Sequence, residues 1–114
     1  MITSPVFTMT TIEGVAFFVL AGELDLAVAD EIRDAGQKAI ADDFVGTIRI
    51  DLSGVTFIDS TIIGALIAMQ NMAQEFGKVL ILERPAAKVL RTLSVAGLRS
   101  VFWIDMGEEP LTVF

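Results

Sequence analysis

The spacing of apolar residues changes period several times along the chain. Val6–Ile12 alternates loosely and predicts a first strand. Glu13-Gly14 is a tight-turn pair leading into Val15–Leu20, a near-continuous apolar run, and together these segments predict an antiparallel hairpin. A run that apolar is expected inside the sheet rather than wetted on one face. Gly22-Glu23-Leu24-Asp25 breaks the strand pattern, and Asp25 reads as the N-cap of a helix from about Leu26 to Ala41. Val28, Ile32, Ala35 and Ala39 fall on one face of that helix, with Asp30 and Glu31 early and Lys38 late, as its dipole favours.

A third strand, Thr47–Leu52, continues through Val55–Ile58 into a loop holding Asp59, Ser60 and Thr61. From Ser60 to Phe76 the pattern is helical, and Gly77 suits the position after a helix end. Lys78–Leu82 is a fourth strand. Glu83-Arg84-Pro85 turns the chain into a helix over about Ala86–Ala96, stopped by Gly97, and Val101–Ile104 is a short last strand. Met106–Phe114 has no assignment. From Val15 onward the order is β-α-β-α-β-α-β, which predicts one α/β domain over residues 1–114. Its sheet should be mixed, an N-terminal hairpin followed by mainly parallel strands, and flanked by helices.

Right-handed crossovers return each parallel strand in the same direction, so the strand-to-helix loops are expected along one carboxyl rim. Those loops hold Asp25, then Asp59-Ser60-Thr61, then Glu83-Arg84, and ligands of open α/β sheets tend to bind at that edge. A phosphate on Ser60 would meet the N–H groups and positive dipole end of a helix start. The structural alternative is that Ser60, Thr61 and Asp25 only cap helices, worth ~1 kcal/mol each, and that Arg84 is a solvated charge. The helix after Ser60 is apolar nearly all round. Ile63, Leu66, Ile67 and Ala73 suit a core stripe, while Ile62, Ala65, Met69 and Met72 extend it. Either this helix is deeply buried between sheet and neighbour, or it exposes an apolar docking patch beside Ser60.

Composition narrows the chemistry. The 114 residues are 54% hydrophobic with three prolines, which suits one packed core and argues against disorder. No cysteine and no histidine are present, removing thiolate nucleophiles, thiolate zinc sites and the commonest general base and metal ligand. An enzyme, a metal site or a cofactor is therefore not expected. The net charge of −7, without a compensating local Lys/Arg cluster, disfavours direct nucleic-acid binding and suits a partner surface carrying positive charge. The longest apolar run, Ile62–Met69, is far short of the ~20 residues needed to span a bilayer. The first basic residue is Arg33, so a signal-peptide n-region is missing and a cytoplasmic location is expected.

Three segments together resemble the STAS domains, specifically the stand-alone bacterial anti-sigma factor antagonists. GELDLAVA (22–29) is similar to the family's G-x-[LI]-D segment entering its first helix, and IDLSGVTFIDST (50–61) to its central D-L-S-G-V-x-F-[IM]-D-S-[ST] signature. The stretch from Pro85 through VLRTLSVAGLRSVF (89–102) is similar to its closing segment. The resemblance implies a STAS fold and partner switching. It makes Ser60 the residue phosphorylated by an anti-sigma factor serine kinase and dephosphorylated by a phosphoserine phosphatase, with Asp25 and Asp59 beside it; the rim loops add Thr61 and Arg84 to that neighbourhood. Unphosphorylated antagonist would bind the anti-sigma factor and free a sigma factor, and the apolar helix after Ser60 offers Ile62, Ile63, Ala65 and Met69 as the candidate binding surface. One departure is Ile62, which stands where the family usually has glycine. The alternative is a non-phosphorylated STAS scaffold or accessory subunit of a signalling or membrane-transport complex.

Overall fold

The computed structural model describes residues 6–107, with side chains from residue 8 onward. The elements run β1 (Val6–Ile12), β2 (Val15–Leu24), α1 (Leu26–Ala41), β3 (Thr47–Ile58), α2 (Ser60–Glu75), β4 (Val79–Glu83), α3 (Ala87–Val95) and β5 (Trp103–Asp105). Most of the tail beyond Asp105, like the first five residues, lies outside the described part. Glu13 and Gly14 both take positive φ, 48° and 82°, the geometry of a two-residue hairpin turn whose twist matches its strands.

The five strands lie in sequence order, β1-β2-β3-β4-β5, with β1 antiparallel to β2 and the other three pairs parallel. Three right-handed crossovers progressing the same way across a sheet place all three helices on one face. The burial pattern agrees with this. Ala16, Phe18 and Leu20 of β2, Ile48, Ile50 and Leu52 of β3, and Leu80 and Leu82 of β4 are buried under the helices. The alternate residues Phe17, Arg49, Ile81 and Trp103 stand in one register row on the other face, half-buried to exposed. β2 is therefore an inner strand as expected, but one of its faces is open. On that open face Arg49 bonds Glu83 and Asp105, and Arg84 bonds Asp51.

The two long strands position the site. β2 does not break at Gly22: the pair β2–β3 runs on to Leu24↔Ile58, with register shifts between Val19 and Ala21 and between Gly22 and Glu23. Gly22 has φ 87°, and a Cβ on Gly54 would come 3.1 Å from the Ala21 Cβ, so glycine is what lets these bulged strands stay paired. β4 stops much earlier, its last residue Glu83 being level with Asp51. The carboxyl rim is stepped rather than straight.

α2 resolves the two readings of its apolar surface. Ile62, Ala65, Leu66, Met69 and Ala73 are buried between the sheet and α1. Gly36 of α1 makes room, since a Cβ there would lie 2.2 Å from the Met69 Cε. The helix is two-sided in its packing, so it needs apolar residues over more than one stripe.

Candidate functional site

The two long strands deliver the starts of α1 and α2 to the same corner. Asp25 caps α1, its carboxylate accepting from the Ala27 N–H at 3.0 Å. Asp59 caps α2, accepting from the N–H groups of Thr61 at 3.0 Å and Ile62 at 3.1 Å. The Thr61 hydroxyl also donates to Asp59. The Asp59 N–H donates to the Leu24 carbonyl at 3.3 Å, and the Leu26 N–H adds a weaker electrostatic pull on its carboxylate. One aspartate thus caps α2 and holds its start beside that of α1.

The same bonds set its charge. The Thr61 hydroxyl holds the Asp59 carboxyl below its ordinary range, partial burial opposes this, and the N–H groups of Ile62, Thr61 and Leu26 add to it. Asp59 is accordingly a fixed anion. The expectation that a phosphate on Ser60 would find free N–H groups needs correcting, because Asp59 already occupies those of Thr61 and Ile62.

Ser60 is the first residue of α2 and is exposed, and among the described residues its hydroxyl has no hydrogen-bond partner. The three carboxylates of Glu23, Asp25 and Asp59 come from the two segments that meet here. Two apolar side chains that the sequence reading missed flank the corner. Leu26, next to the Asp25 cap, is 68% exposed, and Phe57, paired with Glu23 across the strands, is 44% exposed. Their signal was local: each is an apolar residue directly beside a capping loop.

The proposed neighbours divide into groups. Asp25, Asp59 and Thr61 are brought to Ser60. Arg84 is not. It sits at the end of β4 with φ 48°, donates its backbone N–H to Asp105 at 2.7 Å, and directs its guanidinium to Asp51 on the open sheet face. β3 runs seven more residues from Asp51 to Ile58, roughly 20 Å at strand rise, before Ser60 is reached. Of the partner-binding set, Ile62, Ala65 and Met69 are buried in the core and offer no surface, and only Ile63 remains half-exposed. The reason is that Ile62 points under the sheet, so its branched side chain does not crowd the outer face. That face continues from Ser60 through Ile63, Gly64 and Ile67 at helical spacing, with open space where a Cβ on Gly64 would stand.

Among the described residues no group of three or more Asp, Glu, His or Cys gathers as a metal site, and no helix is long and apolar enough to cross a membrane.

A five-stranded mixed sheet with its helices on one face and an exposed serine at the start of its second helix defines the fold class, a single α/β domain. The family model described as "Mlab, STAS domain" matches residues 13–105, and the chain belongs to that STAS family, whose antagonist members are binding proteins and not enzymes. No protein among the curated sequences matches. Solved structures do. A Thermotoga maritima protein described as an anti-sigma factor antagonist is 23% identical, covers 87% of this chain and 85% of its own, and gives a TM-score of 0.79. The anti-sigma factor antagonist SpoIIAA, a Bacillus cell fate determinant, matches in its unphosphorylated form with 20% identity, 93% and 90% coverage and a TM-score of 0.72. Its phosphorylated form gives 21% identity, 90% and 93% coverage and the same TM-score of 0.72. A Wolinella succinogenes protein of the sulfate transporter family matches with 18% identity, 85% and 80% coverage and a TM-score of 0.73. At these identities the likeness establishes the fold.

Proposed function

We propose that the protein is an anti-sigma factor antagonist that works by partner switching, with Ser60 as its phosphorylation site. The observation that carries this reading is the contrast at the α2 start. Thr61 gives its hydroxyl to Asp59, while Ser60, one residue away, presents an exposed hydroxyl with no partner among the described residues. A phosphoryl transfer enzyme approaching this corner finds one free acceptor.

The electrostatics support a switch that leaves the fold alone. Phosphorylation adds about −1.5 to −2 charges at one point, and Ser60 projects into solvent rather than the core. The new charge stands beside the anionic Asp59, and a partner that closed over a hydroxyl must then desolvate a phosphate among carboxylates. A switch of about 10²–10⁴ in affinity needs only ~3–5.5 kcal/mol of differential binding. The partner on this reading is an anti-sigma factor serine kinase, a phosphoserine phosphatase reverses the modification, and the protein acts in the cytoplasm on transcription. Docking would use Ile63, Gly64 and Ile67 on the outer face of α2, together with Leu26 and Phe57.

The test is calorimetric titration of wild type, Ser60→Ala and Ser60→Glu into candidate anti-sigma kinases, with circular dichroism to show that all three are folded. The Ala variant should bind like wild type and the Glu variant at least about tenfold more weakly. Equal affinities for all three would remove the switch.

A second reading has its own support. The likeness to the Wolinella sulfate transporter family structure favours a scaffold or accessory subunit in a membrane-transport assembly. On that reading the same corner binds its partner without phosphorylation, and the Glu variant keeps its affinity.

A further inference from the structure

The charge of the molecule is unevenly placed. Four of the eight Lys and Arg residues fall between positions 84 and 99, and no Asp or Glu lies between Glu83 and Asp105. Everywhere else four cations face fifteen carboxylates. Arg84 is engaged with Asp51, but Lys88, Arg91 and Arg99 are exposed and, among the described residues, make no ion pair.

α3 arranges them. Its inner side, Val89 and Leu93, is buried against the sheet, which turns Lys88, Arg91 and Val95 outward at spacings of three and four. The stripe spans about 10 Å of helix axis. Val95 is 83% exposed, an apolar side chain set among cations. Just beyond it, a recess of about 400 Å³ is lined by Ser94, Gly97, Arg99 and Ser100.

We propose that the outer face of α3 and the turn after it form a docking surface for an acidic polypeptide segment. Its carboxylates would meet Lys88, Arg91 and Arg99, and an apolar side chain would cover Val95. Charge complementarity selects an anionic partner, since this is the one basic flank of a strongly acidic molecule. Two features select a polypeptide among anions. The stripe is short and interrupted by Val95, which a run of nucleic-acid phosphates would leave uncovered. A nine-residue helix with Val89 and Leu93 buried, Leu90 half-buried and only Val95 and the small Ala87 exposed also has too little outward apolar surface to seat in a bilayer. The surface shares no residue with the Ser60 corner, so it stands whether or not Ser60 is phosphorylated.

The experiment uses the full chain and three probes: a fluorescein-labelled peptide of repeated Glu-Leu-Glu, vesicles of phosphatidylglycerol, and a single-stranded oligonucleotide. Fluorescence anisotropy measures binding of the labelled peptide, co-sedimentation and anisotropy measure the other two, and amide chemical shifts locate the bound peptide. The expected result is binding of the peptide that shifts residues 88–99 and weakens about tenfold between about 20 mM and about 200 mM salt. Reversing all three cations, Lys88→Glu, Arg91→Glu and Arg99→Glu, should weaken it at least about tenfold more. Should that variant fail to fold, the Glu-to-Gln peptide performs the same subtraction from the ligand side and should not bind. Absence of peptide binding at low salt, shifts confined to other residues, or tighter binding of vesicles or oligonucleotide than of peptide would each overturn the proposal.

Discussion

Ser60 and Thr61 carry the same functional group on adjacent residues, and Asp59 separates their fates. By taking the Thr61 hydroxyl and the N–H groups of Thr61 and Ile62, it fixes one side chain and leaves the other to solvent. Asp59→Ala should therefore loosen the start of α2 and lower the urea midpoint without changing the slope of the transition. Asp59→Asn, which keeps one carbonyl acceptor, should lose less. Equal midpoints for Asp59→Ala and wild type would show that the cap does not contribute to stability. These residues were legible because capping is local: an Asp before a helical run announces itself within a few positions. Arg84 was not, because its distance from Ser60 depends on how far β3 outruns β4. That is a property of two strands and not of any one loop.

At the scale of elements, the helix α2 shows why its sequence looks over-apolar. It packs against the sheet on one side and α1 on another, and Met69 fills the space that Gly36 leaves. Gly36→Ala gains helix propensity of up to ~1 kcal/mol but forces the buried Met69 out of place, an overpacking cost of roughly 1–3 kcal/mol. Net destabilisation is expected in chemical denaturation, and the Gly36→Ala, Met69→Ala double variant should show favourable coupling in a double-mutant cycle. Net stabilisation by Gly36→Ala alone would mean that the close approach is not maintained in solution. Helix and strand identities were readable from periodicity, and most ends agree within a residue or two. The exception is β2, which passes through Gly22 instead of ending before it, because a bulged pair of long strands tolerates glycine at a positive φ. The buried positions Ile62, Ala65 and Met69 escaped assignment because periodicity cannot say how many neighbours a helix has.

For the whole molecule, the open face of the sheet is held by charge as well as by apolar contact. Burial pushes the Asp51 carboxyl up, but bonds from Ser53 and the Arg84 guanidinium outweigh it and leave the group below its ordinary range. Gly107 and Arg49 do the same for Asp105, and Thr61 for Asp59. For each of these the folded chain holds its proton less tightly than the unfolded chain, whose reference value is 3.8. In the window between the folded and unfolded values the unfolded state binds more protons, so stability falls as acid is added. The contribution is fully present above the unfolded value and is lost as pH falls through the folded ones. Asp51→Asn should make stability less steep with pH below about 4 in urea titrations at fixed pH. An unchanged slope would mean that Asp51 does not titrate with folding.

Phosphorylation of Ser60 is tested most simply by the intact mass of the protein after incubation with ATP, Mg²⁺ and candidate anti-sigma factor kinases, followed by site mapping. The expected result is a single added phosphate on Ser60, none on Thr61, and none at all in Ser60→Ala. A kinase that binds the protein yet adds no phosphate, or adds it at another residue, would contradict a switch at Ser60.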